Sequence, residues 1–197
     1  MTKDDKTLSV YDQRATQYED IVANDQAQAV LTRFIASVPK GGRVLDLGCG
    51  PGHHAARMAA EGLKVDAWDG SVEMIARALN KPGVTAKHAN FDDLTEVAQF
   101  DGIWASFSLL HASKAQFAQH LLSCHTALKP GGTLYIGMKT GTGERRDSIG
   151  RFYAYYSQSE LETYLSKAGF TPFWHHSGRG KGLAGDTEPY IGIFSRA

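Results

Sequence analysis

Apolar positions along the chain follow two alternating rhythms. Short continuous runs at 44–47, 63–68, 84–89, 100–105 and 133–138 have the length and the β-branched or aromatic content of strands. Between them, apolar residues recur three and four positions apart, as in Val30, Leu31, Phe34, Ile35 and Val38, and again in Phe117, Leu121, Leu122 and Leu128. Each such set marks a helix with one buried face. Further helices are expected over 53–61, stopped by Gly62, and over 72–79, stopped by NKPG, while KPGG ends the helix before 133–138. Strand and helix in alternation predict a parallel sheet with right-handed crossovers. Two last runs, 170–176 and 188–195, read as a closing antiparallel pair around RGKGLAGD. Residues 1–8 are polar and are expected to be loose, with order beginning near Ser9.

The stretch VLDLGCGPGHH at 44–54 joins the first strand to a helix through a glycine-rich turn. Gly48, Gly50 and Gly52 can take positive φ or let a ligand lie against the backbone, and the free N–H groups of the helix that follows face that ligand. A dinucleotide fingerprint, G-x-G-x-x-G, would need its third glycine at position 53, where the chain has His53. Asp46, inside the strand, would also repel a pyrophosphate and attract a ligand that carries an ammonium group. His53 and His54 stand where they can approach a ligand's carboxylate, but no other residue at metal-ligand spacing joins them.

VLDLGCGPG resembles the first motif of the class I methyltransferases, which use S-adenosylmethionine (SAM). VDAWDGSVEMIARA resembles their second motif, KHANFDDL the third with Asn90 in the usual aspartate position, and FDGIWASFSLLH the fourth. ALKPGGTLYIGMK matches the helix, turn and strand that follow, so the resemblance covers residues 11–170 or thereabouts. It implies a three-layer Rossmann-like α/β sandwich: a mostly parallel seven-stranded sheet with an antiparallel C-terminal strand and helices on both faces. It also implies SAM as cofactor and S-adenosylhomocysteine as product. The cofactor site would comprise Asp46, Gly48, Gly50 and Gly52 in the turn, Asp69 for the ribose hydroxyls, and Ser71 and Met74 beside the adenine. Asn90 and Phe91 would stand at the adenine edge, and Ser106 at the methionine part. The family's N-terminal helix covers the pocket, here with Tyr11 and Tyr18, seven apart and therefore on one helical face.

Methyl transfer is an in-line displacement in which alignment of the nucleophile supplies much of the rate, so a strong base is not obligatory. Where a proton must leave the acceptor, the candidates to take it are His111, Tyr18 or one of His175 and His176. His111 is the first candidate for a substrate contact or base. The polar stretch KTGTGERRDSIGR, 139–151, is too long for a simple connection and would overhang the crevice. Arg145, Arg146 and Arg151 in it are candidate anion contacts. Tyr153, Tyr155 and Tyr156 follow, before a last helix capped by Ser157 or Ser159 and stopped by Gly169.

At 197 residues the chain suits one domain, 1–197, with cap helices over 9–38 and a lid loop over 139–156. Lys plus Arg and Asp plus Glu both number 21, so no overall field draws the protein toward nucleic acid or an anionic membrane. No apolar run is long enough to span a bilayer, MTKDDKTLSV has no apolar signal segment, and Cys49 and Cys124 are too few and too scattered for a disulfide framework. The expected setting is cytoplasmic, and no metal is expected. The expected activity is methyl transfer to a small molecule. A second reading is a methyltransferase acting on the wobble uridine of tRNA, since RFYAYYSQSELETYLSKAGF resembles the ending of such enzymes. A third is a SAM-binding protein without catalysis.

Overall fold

The computed structural model describes residues 4–23 and 28–197. Two short helices, α1 (Asp5–Gln13) and α2 (Ala15–Ala23), precede α3 (Gln28–Ala36). The alternating body follows: β1 (Arg43–Leu47), α4 (His53–Ala60), β2 (Lys64–Asp69), α5 (Val72–Ala78), β3 (Val84–His88), β4 (Phe100–Ser106), α6 (Lys114–Ala127) and β5 (Leu128–Lys139). A hairpin, β6 (Glu144–Arg146) and β7 (Phe152–Ala154), leads to α7 (Gln158–Lys167) and to the final strands β8 (Thr171–Lys181) and β9 (Thr187–Arg196).

Seven strands form one sheet in the order β3-β2-β1-β4-β5-β9-β8, with β1 to β5 parallel and β9 antiparallel to both of its neighbours. Successive side chains of a strand point to opposite faces, and β1 and β4 are buried on both. Val44 and Trp104 pack with Phe34 of α3, Met58 of α4 and Ile75 of α5. Leu45, Leu47 and Ile103 pack with Phe117 and Leu121 of α6 and Leu161 and Leu165 of α7. The result is three layers, helix, sheet and helix, as the alternating pattern predicts. Strand order reverses between β1 and β4, and at that switch point the two crossovers leave in opposite directions and open a crevice at the strands' carboxyl ends.

Helix boundaries follow local chemistry. Ser113 caps α6 reciprocally with Gln116, and Ser157, rather than Ser159, caps α7 reciprocally with Glu160. Two expectations are corrected. Helix α1 begins at Asp5, inside the segment expected to be loose, because Thr7 is buried and accepts the Phe152 N–H at 2.9 Å. Polar anchoring of that kind leaves no trace in hydropathy. The stretch 139–151 contains strand β6, and Arg145 pairs in register with Tyr153 across the hairpin. Positions 1–3 of the polar start, and 24–27 of the expected cap, lie outside the described residues.

Candidate functional site

The turn between β1 and α4 is shaped by what glycine lacks. Gly48 has φ +78°, and a Cβ there would lie 2.2 Å from the Ser108 Cβ. Ser108 comes this close because its hydroxyl donates to the Leu47 carbonyl at 2.6 Å, tying the ends of β1 and β4 together. Gly50, φ +54°, would press a Cβ to 3.2 Å from the Tyr18 ring. Its N–H instead donates to Asp69 Oδ2 at 2.8 Å, while Ser71 N–H donates to Oδ1 at 2.8 Å. Asp69 is thereby oriented by backbone groups from two elements, and each oxygen keeps capacity for a ligand hydroxyl. Burial pushes the Asp69 carboxyl up from the usual range, and these two N–H groups pull it back.

A cavity of about 360 Å³ opens at this turn, a size within the range of small-molecule sites. Of the sequence-predicted residues, Tyr11, Tyr18, Gly48, Gly50, Asp69, Met74, Asn90, Phe91, His111 and Arg146 line it. Asp46 and Ser106 lie in an adjoining recess of about 50 Å³, shared with His53, His54 and Tyr18. Gly52 and Ser71 line neither space. Gly52, φ +81°, starts α4 and meets Ala78 of α5, where a Cβ would come within 3.0 Å. Ser71 caps α5 by accepting Met74 N–H and donates to Asp12 of α1 at 2.5 Å, so its hydroxyl joins α1 to the body.

Asp46 tests whether these residues suit SAM. It is 2% exposed, and its Oδ2 has no hydrogen-bond partner. Burial, and then the charge of Asp69, push its carboxyl up to about 8, although the Ala55 N–H opposes this. A buried, unpartnered carboxylate oxygen calls for a donor or a cation from a ligand. The methionine ammonium of SAM has that chemistry, and Asp69 has the acceptor chemistry its ribose needs, so the residues present fit the cofactor.

At the other end of the cavity, α1, α2 and the hairpin close over the crevice. Tyr11 and Tyr18 meet edge to face at 5.2 Å although the helix breaks at Arg14 between them. Tyr11 hydroxyl lies 2.9 Å from His111 Nε2, and His111 Nδ1 lies 2.6 Å from the Phe152 carbonyl. Burial, with Arg151 and Lys139 nearby, pushes the His111 imidazole down to about 3, against the pull of the Phe152 carbonyl. Helix α2 is clamped by Glu19, which reaches Arg77 at 3.1 Å and Lys81 at 3.2 Å.

The arginines expected as anion contacts have partners within the protein. Arg151 is 2% exposed and paired with Asp147 at 2.8 Å; Arg146 holds Asp4 at 3.0 Å; Arg145 lies over the Tyr155 ring at 3.7 Å. His176 bonds Tyr135 at 3.2 Å and stacks on Trp174, and neither it nor His175 lines the cavity. The sequence reading missed the Asp147–Arg151 pair, whose i, i+4 spacing was its only signal. Phe107, directly after β4 with φ +54°, lines the cavity, as expected of the residues just past that strand's carboxyl end. Among the described residues, no group of three or more His, Cys, Asp or Glu is placed to hold a metal ion.

Comparison with known proteins agrees with this geometry. Residues 44–132 match the family described as a methyltransferase domain. The cypemycin N-terminal methyltransferase of a Streptomyces species is 33% identical over 136 residues, which is 65% of this chain and 56% of that protein. A SAM-dependent Diels-Alderase of Talaromyces variabilis is 35% identical over 106 residues, 49% of this chain and 36% of that protein. The chain thus spans between about a third and somewhat over half of these curated relatives' lengths. Among solved structures, the 1,6-didemethyltoxoflavin N1-methyltransferase of Burkholderia thailandensis, with bound 1,6-didemethyltoxoflavin and S-adenosylhomocysteine, superposes with a TM-score of 0.79 at 24% identity. That match covers 98% of this chain and 87% of the other, and it shows a common fold. Over residues 44–132 the chain thus carries a methyltransferase domain, and its glycine turn and sheet order are similar to those of the class I SAM-dependent methyltransferases.

Proposed function

We propose that the chain transfers a methyl group from SAM to a small-molecule acceptor held between α1, α2 and the β6–β7 hairpin. The observation that carries this reading is the pair of carboxylates at the glycine turn: Asp69, oriented by Gly50 and Ser71, and Asp46, with one buried oxygen unpartnered. Bound there, SAM supplies a methyl carbon made electrophilic by its sulfonium. Asp69, Met74, Asn90 and Phe91 would hold the nucleoside, and Asp46, Gly48 and Ser106 the amino-acid part. Tyr18, Phe107 and His111 would wall the acceptor and keep it aligned with the methyl group while α1 and the hairpin exclude water. Gly52 and Ser71 would support the site from outside, through α4 and α5.

Support for a small acceptor comes from the size of the cavity, about 360 Å³, and from the zero net charge. The same charge balance weighs against tRNA. Cys49 and Cys124 are both buried and unpaired, which supports a reducing, cytoplasmic setting, with residues 1–197 acting as one catalytic unit. A second reading, SAM binding without methyl transfer, is supported by the similarity to the Diels-Alderase. Calorimetric titration with SAM, S-adenosylhomocysteine and NAD tests the cofactor assignment: binding of the two sulfur ligands and not of NAD is expected, and binding of none overturns it. Formation of S-adenosylhomocysteine with an acceptor separates the first reading from the second.

A further inference from the structure

Four buried side-chain polar atoms among the described residues lack a hydrogen-bond partner, and two of them, Asp46 Oδ2 and His53 Nε2, belong to residues that line one recess. Their chemistry is complementary. A carboxylate oxygen only accepts, whereas an imidazole nitrogen that carries its hydrogen donates. A buried polar atom without a partner is costly, so two of opposite character in one place point to a ligand that satisfies both. The recess, about 50 Å³, adjoins the main cavity, since Tyr18, Gly48, Gly50 and Phe107 line both.

The protein's own groups near His53 are committed elsewhere. Glu19 of α2 stands 3.5 Å from Nε2, longer than an N–H···O hydrogen bond. Its oxygens are held instead by Arg77 at 3.1 Å and Lys81 at 3.2 Å. His54, the next residue, is turned to the sheet, where its Nδ1 accepts the Trp104 indole N–H at 3.2 Å. His53 is the first residue of α4, and Gly52 before it has no side chain to cap the helix. The positive end of α4 therefore adds to the attraction of an anion at His53.

We propose that His53 is the residue that selects the cofactor's amino-acid tail, its Nε2 hydrogen donated to the tail's carboxylate while Asp46 holds the ammonium. This inference rests on the SAM reading above. An α-amino acid carries an ammonium and a carboxylate on one carbon, which matches an acceptor and a donor lining one recess of this size. Adenosine, 5′-methylthioadenosine and a decarboxylated donor share the nucleoside with SAM. Asp69, Met74, Asn90 and Phe91 meet the same nucleoside in all of them, so discrimination falls to the tail. His53 thus makes the site specific for a ligand whose carboxylate is intact. Glu19 stands against the same imidazole from α2, so the bound carboxylate also lies beside the clamp that fastens this helix to the body.

The test is calorimetric titration of the full chain and of His53→Leu, His53→Gln and Asp46→Asn with three probes. S-adenosylhomocysteine carries both charged groups, its decarboxylated analogue keeps the ammonium alone, and 5′-methylthioadenosine has neither. The parent is expected to bind S-adenosylhomocysteine about 10- to 100-fold more tightly than the decarboxylated analogue, the scale of a hydrogen bond to a charged group. His53→Leu should lose that factor for S-adenosylhomocysteine and leave the other two probes unchanged. His53→Gln, which carries an N–H at similar reach, should restore most of it. Asp46→Asn should weaken the two ammonium-bearing probes and spare 5′-methylthioadenosine. An equal loss for all three probes in His53→Leu means that the side chain only shapes the turn, and no loss means that the carboxylate is held elsewhere. Either result overturns the proposal and leaves the cofactor reading intact. Failure of the parent to bind S-adenosylhomocysteine overturns the cofactor reading and this proposal with it.

Discussion

Asp46 and Asp69 flank one glycine turn, yet the fold treats them oppositely. Asp69 receives an N–H on each oxygen, whereas Asp46 keeps an oxygen without a partner. Replacing Asp69 with Ala removes the acceptors proposed for the ribose, and SAM affinity should fall by about 1 to 3 kcal/mol, the scale of a hydrogen bond to a charged group. Calorimetry reads this directly. For Asp46 the consequence is a pH dependence. Its carboxyl sits at about 8 in the folded protein and at roughly 3.9 in an unfolded chain, so the folded state binds more protons between those values. Stability of the ligand-free protein is therefore expected to fall as pH rises from about 4 to about 8 on this account. Asp46→Asn should flatten that slope, so in thermal unfolding between pH 5 and 8 the variant's midpoint gains on the parent as pH rises. A ligand cation at Oδ2 should ionise the group, and titrations near pH 7 in buffers of different ionisation enthalpy should register a released proton. Asp46 was legible because strand, glycines and acid lie within ten positions, and Asp69 because it ends the second strand about twenty residues beyond the glycines. The missing partner of one of them was not, since it depends on which N–H groups the fold brings near.

The elements divide by how they are held. The middle strands β1, β4 and β5 are held by burial on both faces, and their continuous apolar runs made them readable. Helix α1 and the β6–β7 hairpin are held chiefly by polar contacts across long stretches of chain: Arg146 to Asp4, Phe152 to Thr7, Arg151 to Tyr11, and on the body Ser71 to Asp12. Such contacts join residues as much as 142 and 145 positions apart and impose no local period, which is why the start of α1 and the hairpin escaped the sequence pattern. The buried Asp147–Arg151 pair is the centre of this closure, with side chains 9% and 2% exposed. Arg151→Met leaves Asp147 buried without a counterion and should cost about 3 to 5 kcal/mol in urea unfolding. The double variant with Asp147→Leu should recover much of that loss, and a double-mutant cycle measures the coupling.

For the molecule as a whole, the parallel sheet was predictable from alternation, while the strand order was not, and the position of the site follows from that order because the crevice opens where it reverses. Charge also belongs to this scale. With 21 basic and 21 acidic residues, and arginines near the cavity paired internally, the surface offers no strong attraction for a polyanion. Filter binding with tRNA should give weak retention and a shallow dependence on salt, and a steep slope would argue for the nucleic-acid reading. Among the described residues no helix is long and apolar enough to cross a membrane.

The turn at Gly48 and Gly50 is a matter of backbone shape, and that shape is shared by every sequence that can form the turn. The opposite wall is made of side chains, Tyr11, Tyr18, Phe107 and His111, carried on segments outside the sheet or just beyond its edge. Sequence drift therefore falls unequally on the two halves. Substitutions across most of the body preserve the donor half so long as the turn survives, while a handful at the lid can exchange one acceptor for another. A frame of this kind separates inheritance of the reagent from inheritance of the reaction, so descendants can diverge widely in what they modify while remaining superposable.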